Sequence, residues 1–108
     1  MIVVWLSSEK RSAADMALLY LRESMLAGAW QDAELWLWGP PVETAAKDAE
    51  LQEELSLAQS VGVRVSACLD CAARYGVCDA LTRSKIAVRP LSAALTEALR
   101  QHMPLLFI

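Results

Sequence analysis

Val61-Gly62-Val63-Arg64-Val65-Ser66-Ala67-Cys68-Leu69-Asp70-Cys71-Ala72-Ala73-Arg74-Tyr75-Gly76-Val77 contains a strand, a helix and the handover between them. The apolar run from Val61 to Ala67 predicts a strand, with Val63 and Val65 alternating about Arg64. After Cys68 the pattern changes to a short helix, Leu69 to Tyr75, and Gly76 stands where a left-handed residue ends such a helix. A strand that passes directly into a helix is the building unit of an α/β layer fold. Cys68 lies at the junction, facing the unpaired N–H groups and positive end of the helix, a setting that favours a thiolate.

Working outward, short apolar runs continue to alternate with amphipathic stretches, which predicts five strands and four helices around a mainly parallel sheet. Strand one is read over Ile2 to Leu6, followed by a polar turn through Ser7, Ser8, Glu9 and Lys10. Ser12 with Asp15 resembles a capping box, after which Ala14, Leu18, Leu21 and Met25 share one helical face up to Gly28. Strand two, Glu34 to Trp38, stops at Gly39-Pro40-Pro41, where two prolines preclude strand pairing. A long loop is expected from there to Lys47, at the carboxyl end of a parallel strand, where loops often line a site although a rigid surface loop is the commoner reading. The second helix, from about Asp48 to Ser60, would bury Leu51, Leu55 and Ala58 and turn Glu50, Glu53 and Glu54 to water. Strand four is Ile86 to Val88, bounded by Pro90. Ser92 is positioned to cap a last helix whose Leu95, Ala98, Leu99 and His102 share a face. Pro104 stops it, and Leu105 to Ile108 forms strand five.

With 108 residues the chain is expected to form one domain, residues 1–108. Its apolar fraction of 56% is above the usual range, and a lone small domain would struggle to hide that much apolar surface, so a homo-oligomer is expected. A formal charge of −3 with scattered basic residues supplies no footprint for nucleic acid. Met1 to Leu6 is too short for a signal-peptide core or a membrane span and has no basic segment before it, which points to the cytoplasm and away from the membrane. The cysteine count of three is odd, and two of them stand in a CxxC spacing, which argues against a structural disulfide framework.

Chemistry concentrates on the cysteines. Cys68 reads as a nucleophile or sulfur carrier, with Arg74 near enough to support an anion, or alternatively as a small buried apolar side chain. Cys71, one helical turn on, places a second sulfur near the first and so reads as a resolving thiol. Thioredoxin-type proteins carry this spacing after their first major strand and pair it with a later proline loop, and neither feature is evident here. Cys78 lies beyond the helix terminator and reads as packing. A Cys₃His zinc site is disfavoured, because His102 is isolated in sequence and Cys78 has no close partner. His102 itself reads as a helix-end residue near terminal carbonyls. Trp36 and Trp38 fall on the same side of strand two and read first as core or interface packing, with Trp38 at the strand end also able to reach the mouth of a site. The segment Ser7 to Ser12 contains no glycine, which argues against a phosphate loop and a flavin or nucleotide site.

These residues resemble the DsrE/DsrF-like family of sulfur-relay, TusD-related proteins, specifically members that carry a CxxC-type motif. The resemblance rests on Trp38-Gly39-Pro40-Pro41-Val42, on Asp48-Ala49-Glu50-Leu51-Gln52, and on Val61 to Cys68 leading into Cys71 to Val77. Leu91 through Leu99 matches the family's last helix. The resemblance implies a three-layer α/β/α sandwich with a five-stranded parallel sheet, flavodoxin-like in general appearance, assembled as trimers or hexamers. It also implies a persulfide on the cysteine eight residues before the glycine, the spacing of Cys68 from Gly76, while Cys71 matches a second cysteine of many relatives. Relay subunits tend to have Arg-Gly where this chain has Tyr75-Gly76.

The function expected on these grounds is sulfane-sulfur handling, as a sulfurtransferase or persulfide carrier. Cys68 would accept sulfur from a donor protein and pass it to an acceptor, Cys71 would resolve it, and Arg74 and Gly76 would support the site. No metal or organic cofactor is expected. A non-catalytic oligomeric binding module and a dithiol redox sensor are the alternatives from other classes.

Overall fold

The period-two alternation of the apolar runs sorts the strands into a sheet with two unequal faces in a computed structural model that describes residues 1–7 and 11–108. The elements are β1 (Ile2–Trp5), α1 (Arg11–Leu26), β2 (Ala33–Leu37), α2 (Pro40–Lys47), α3 (Ala49–Ser60), β3 (Val63–Cys68), α4 (Leu69–Tyr75), α5 (Cys78–Arg83), β4 (Ala87–Arg89), α6 (Ser92–Arg100) and β5 (Leu105–Phe107). All five strands are parallel, in the order β4-β3-β2-β1-β5. The chain therefore steps outward from β1 to β4 and then crosses the whole sheet, carrying α6, to reach β5 on the far side of β1.

Right-handed crossovers put successive helices on one face while the chain moves in one direction, and on the other face when it turns back. Val3, Trp5, Leu35, Leu37, Val63, Val65 and Ala67 point to the first face and build the larger core with Leu18 and Leu21 of α1, Val42 of α2, Leu51 and Leu55 of α3 and Leu81 of α5. Ile2, Val4, Trp36 and Cys68 point to the second, where Leu91 and Ala98 close a much smaller core. The result is a three-layer α/β/α sandwich whose third layer is α6. No helix among the described residues is long and apolar enough to cross a membrane.

Six helices are found among the described residues where four were expected. The expected loop after Pro41 is the helix α2, with Pro40 and Pro41 in its first turn. Those positions need no backbone donor, so the prolines that prevent strand pairing are well suited to open a helix. Glu43 and Lys47 then pair one turn apart at 3.1 Å. The short α5, which buries Leu81, has too few residues to show a helical period in sequence. Ser12 is not a cap, because α1 already begins at Arg11. Arg11 joins α1 to α3 through Asp15 and Asp48, each at 3.0 Å, and reaches Glu54 at 3.7 Å. Glu54 is thus turned inward rather than fully to water. Burial and the neighbouring Asp15 push its carboxyl above the ordinary range.

Asp48 caps α3 by accepting the Leu51 N–H at 3.0 Å, and that bond together with Arg11 holds its carboxyl below the ordinary range. At the last helix Leu91, not Ser92, occupies the cap position, and no side chain caps the helix. Leu91 is buried in the smaller core, so packing sets where α6 starts. The helix ends at Arg100, and His102 lies beyond it with φ 54°, its N–H donating to the Leu99 carbonyl at 3.2 Å. His102 and Leu99 are both exposed, so the buried stripe of α6 is Ala98 with Ala94 and Leu95. The expected turn at Ser8, Glu9 and Lys10 lies outside the described residues, and so does that part of the Ser7 to Ser12 segment.

Candidate functional site

In parallel α/β sheets the carboxyl ends of adjacent strands gather helix starts and side chains into one crevice. Here β2 and β3 run side by side, with Leu37 opposite Ala67, so the segments that follow them begin next to each other. One continues as Trp38-Gly39 into α2, and the other as Cys68 into α4. The site lies between them.

Cys68 occupies the cap position of α4 in an extended conformation, φ −62° and ψ 123°. By strand alternation its side chain points to the α6 face, where it is buried in the smaller core with Trp36 and Leu91. It makes no hydrogen bond to the N–H groups of α4. The expectation that those groups hold the sulfur directly is therefore corrected: alternation of β3 turns the thiol into the apolar layer. Arg89 is its register partner on β4.

Cys71 is the third residue of α4 and is half-buried, packing against both apolar cores. Its Sγ accepts a hydrogen bond from the Gly39 backbone N–H at 3.3 Å. Gly39 holds φ 77° and ψ −139° at the start of α2, a conformation that a side chain would strain, and this turns its N–H toward α4. Burial and the adjacent Cys68 thiol push the Cys71 thiol above its ordinary range, while the Gly39 N–H and the Arg74 charge act in the opposite direction. Of the two thiols Cys71 is the outer one and Cys68 the buried one.

Arg74 lies in the last turn of α4, exposed, where its charge acts on Cys71. Gly76 ends α4 in the left-handed conformation, φ 67° and ψ 33°, as expected from the sequence. Its N–H donates to the Ala73 carbonyl and that of Val77 to Ala72. Cys78 opens α5 and packs against the larger core. Among the described residues no three His, Cys, Asp or Glu side chains are placed to hold a metal ion.

Trp38 packs on the same small core as Trp36, Cys68 and Cys71, on the side that strand alternation predicts. Gly39 is the site residue that the sequence reading passed over. The Gly-Pro-Pro signature of a helix start with a free N–H before it was the available signal for the Gly39 contact with Cys71.

No protein-family model matches the chain, and no curated protein matches it. Two solved structures are similar. The conserved protein of unknown function BT1422 from Bacteroides thetaiotaomicron is 30% identical with a TM-score of 0.93, over 99% of this chain and 92% of that one. The protein of unknown function MTH1491 from Methanobacterium thermoautotrophicum shares the fold at 16% identity and a TM-score of 0.78, over 99% and 97% of the two chains.

Proposed function

The chain belongs to the same family as the conserved Bacteroides thetaiotaomicron protein BT1422, and within that family we propose that it handles sulfane sulfur at the Cys68–Cys71 pair. The observation that carries this reading is the pairing itself: an outer thiol bonded to the Gly39 N–H and an inner thiol sealed in an apolar layer. The likeness of the motif to DsrE/DsrF-like relay proteins supports it from the side of sequence.

The outer thiolate of Cys71 attacks the terminal sulfur of a donor persulfide, forming a Cys71 persulfide and releasing the donor as a thiolate. The Cys68 thiolate then takes that terminal sulfur, leaving a Cys68 persulfide and a Cys71 thiolate. The inner site shelters the persulfide from bulk thiols until an acceptor thiolate draws the sulfur back through Cys71. Attack of Cys68 on the Cys71 Sγ instead gives a Cys68–Cys71 disulfide and releases hydrosulfide, which needs an external dithiol to reset. In the transfer to Cys68 the Arg74 charge favours the thiolate left on Cys71, whereas in the disulfide route the charge departs with the hydrosulfide. Self-association fits the same reading, because Leu99, Leu106 and Phe107 leave apolar surface exposed around α6 and the β5 edge.

The test is incubation with a low-molecular-weight persulfide followed by peptide mass spectrometry on wild type, Cys68→Ser and Cys71→Ser. Wild type should gain one sulfur on Cys68, Cys68→Ser should stop with the sulfur on Cys71, and Cys71→Ser should load slowly. Loss of two hydrogens across the pair with neither retained sulfur nor released hydrosulfide would identify a dithiol redox sensor. Unchanged cysteines would leave a binding module.

A further inference from the structure

The α6 face of the sheet is divided by chemistry. Ile2 and Val4 of β1 are apolar and belong to the small core that α6 closes, whereas Glu34, Arg64, Ser66 and Arg89 on β2, β3 and β4 are polar. A helix would have to desolvate those charges to cover them, so this half of the face is built to stay open. It forms a groove of roughly 550 Å³, within the size range of small-molecule sites.

We propose that this groove binds a small ligand bearing an oxyanion, a carboxylate or a phosphate, with Arg89 as its anchor and Lys85 at its rim. Arg89 lies across the sheet rather than extending into solvent. Its Nε donates to Ser66 Oγ at 3.1 Å, its Nη2 donates to Glu34 Oε1 at 3.3 Å, and its Cζ sits 5.5 Å from the centroid of the Trp36 ring. Ser66 and Trp36 are buried, so the guanidinium is held from below and from two sides. Among the described residues its Nη1 group has no partner, which leaves one donor edge pre-oriented over the groove. A guanidinium fixed in this way loses little freedom when an oxyanion docks on it.

Lys85 supplies the second cation. It holds the left-handed region at φ 61°, unusual for a residue other than glycine. Its carbonyl accepts from the Gln59 amide at 3.0 Å, and its N–H donates to the Thr82 carbonyl at 3.0 Å. Its ammonium pairs with no carboxylate among the described residues. Arg64 adds a third cation at the outer edge, where it meets Asp32 at 2.6 Å and Glu34 at 3.4 Å. Three cations thus line the groove against Glu34 and, at the outer edge, the Asp32 carboxylate paired with Arg64, a local positive excess in a chain of formal net charge −3. That local reversal of sign is the complementarity an anionic ligand requires.

The test is nuclear magnetic resonance on the ¹⁵N-labelled full chain, titrated with inorganic phosphate and separately with succinate, against sodium chloride at matched ionic strength. The reporters are Trp36 Nε1–H, which donates to Glu34 Oε1 at 3.3 Å, and Arg89 Nε–H. A saturable shift with either probe is expected; phosphate alone would indicate phosphate esters and succinate alone carboxylates. Arg89→Gln should abolish the shift, and Lys85→Gln should weaken the apparent affinity by about threefold or more. Lys47→Gln, on α2 across the sheet, should leave it unchanged. Because Arg89→Gln removes one of the two cations that pair with Glu34 and could unfold the chain, the exposed Lys85→Gln keeps the test decisive. Equal responses to chloride and both probes would overturn the proposal. So would identical behaviour of Lys85→Gln and Lys47→Gln, or reporter shifts that follow protein concentration without a probe, which would mean that a second copy covers the face.

Discussion

Replacing Gly76 by alanine tests whether this residue serves the site by ending α4 or by leaving room for a reactant. The glycine holds φ 67° and ψ 33°, and a Cβ built there meets no atom within 4 Å. Steric conflict with the rest of the protein is therefore absent, and the cost reduces to placing an L-residue in the left-handed region, about 1–2 kcal/mol. Urea unfolding followed by circular dichroism should show a loss of that size with an unchanged m-value. The melting temperature should fall by roughly 4–8 °C per kcal/mol for a domain of this size. Gly76→Asn should cost less, since asparagine tolerates this conformation. Persulfide loading per folded molecule should stay at the wild-type level in both variants, because the added atoms point away from every neighbour. An alanine variant as stable as wild type would refute the helix-terminating account. A stable variant that fails to load sulfur would show that Gly76 takes part in the chemistry through space a partner must enter.

Two further outcomes follow from the titrating groups. Alkylation of Cys71, measured by peptide mass spectrometry across pH, should have its midpoint above the model-thiol value of about 8.5, and Cys68→Ala should lower that midpoint by removing the neighbour that raises it. A midpoint that ignores Cys68→Ala would mean that the two sulfurs do not interact. For Glu54, the folded-state carboxyl titrates above its unfolded value, so its favourable contribution is complete below the unfolded pKa and is lost as pH rises through the folded one. Glu54→Gln should accordingly stabilise the protein at neutral pH, with the advantage fading as pH falls to the ordinary carboxylate range. An advantage that persists undiminished in acid would place its origin elsewhere.

Much of the site was legible because its determinants are local. The change of period after Cys68, the turn spacing that brings Cys71 beside it and the left-handed stop at Gly76 all involve residues a few positions apart. The same locality explains the misreadings. Pro40 and Pro41 exclude a strand, but the residues that make α2 worth forming, Val42 and Ala45, are buried by α3, α4 and α5 and mark only one helical turn within eight positions. Ser12 and Ser92 look like caps in isolation, yet Arg11 and Leu91 outweigh them through contacts with distant elements.

The sequence by itself determined the alternation of strands and helices, the faces that Trp36, Trp38 and Arg64 present, and the position of Cys68 and Cys71 at a strand-to-helix junction, since backbone sterics and side-chain periodicity act over neighbouring residues. Only the tertiary structure decided which thiol is outer, that Gly39 reaches Cys71 across 32 positions, and that Glu34, Ser66, Lys85 and Arg89 share one groove. Those relations depend on the order β4-β3-β2-β1-β5 and on strand register, which join residues that the chain itself keeps far apart. The open half of the α6 face has the same origin: a single return crossover supplies one helix to a face five strands wide.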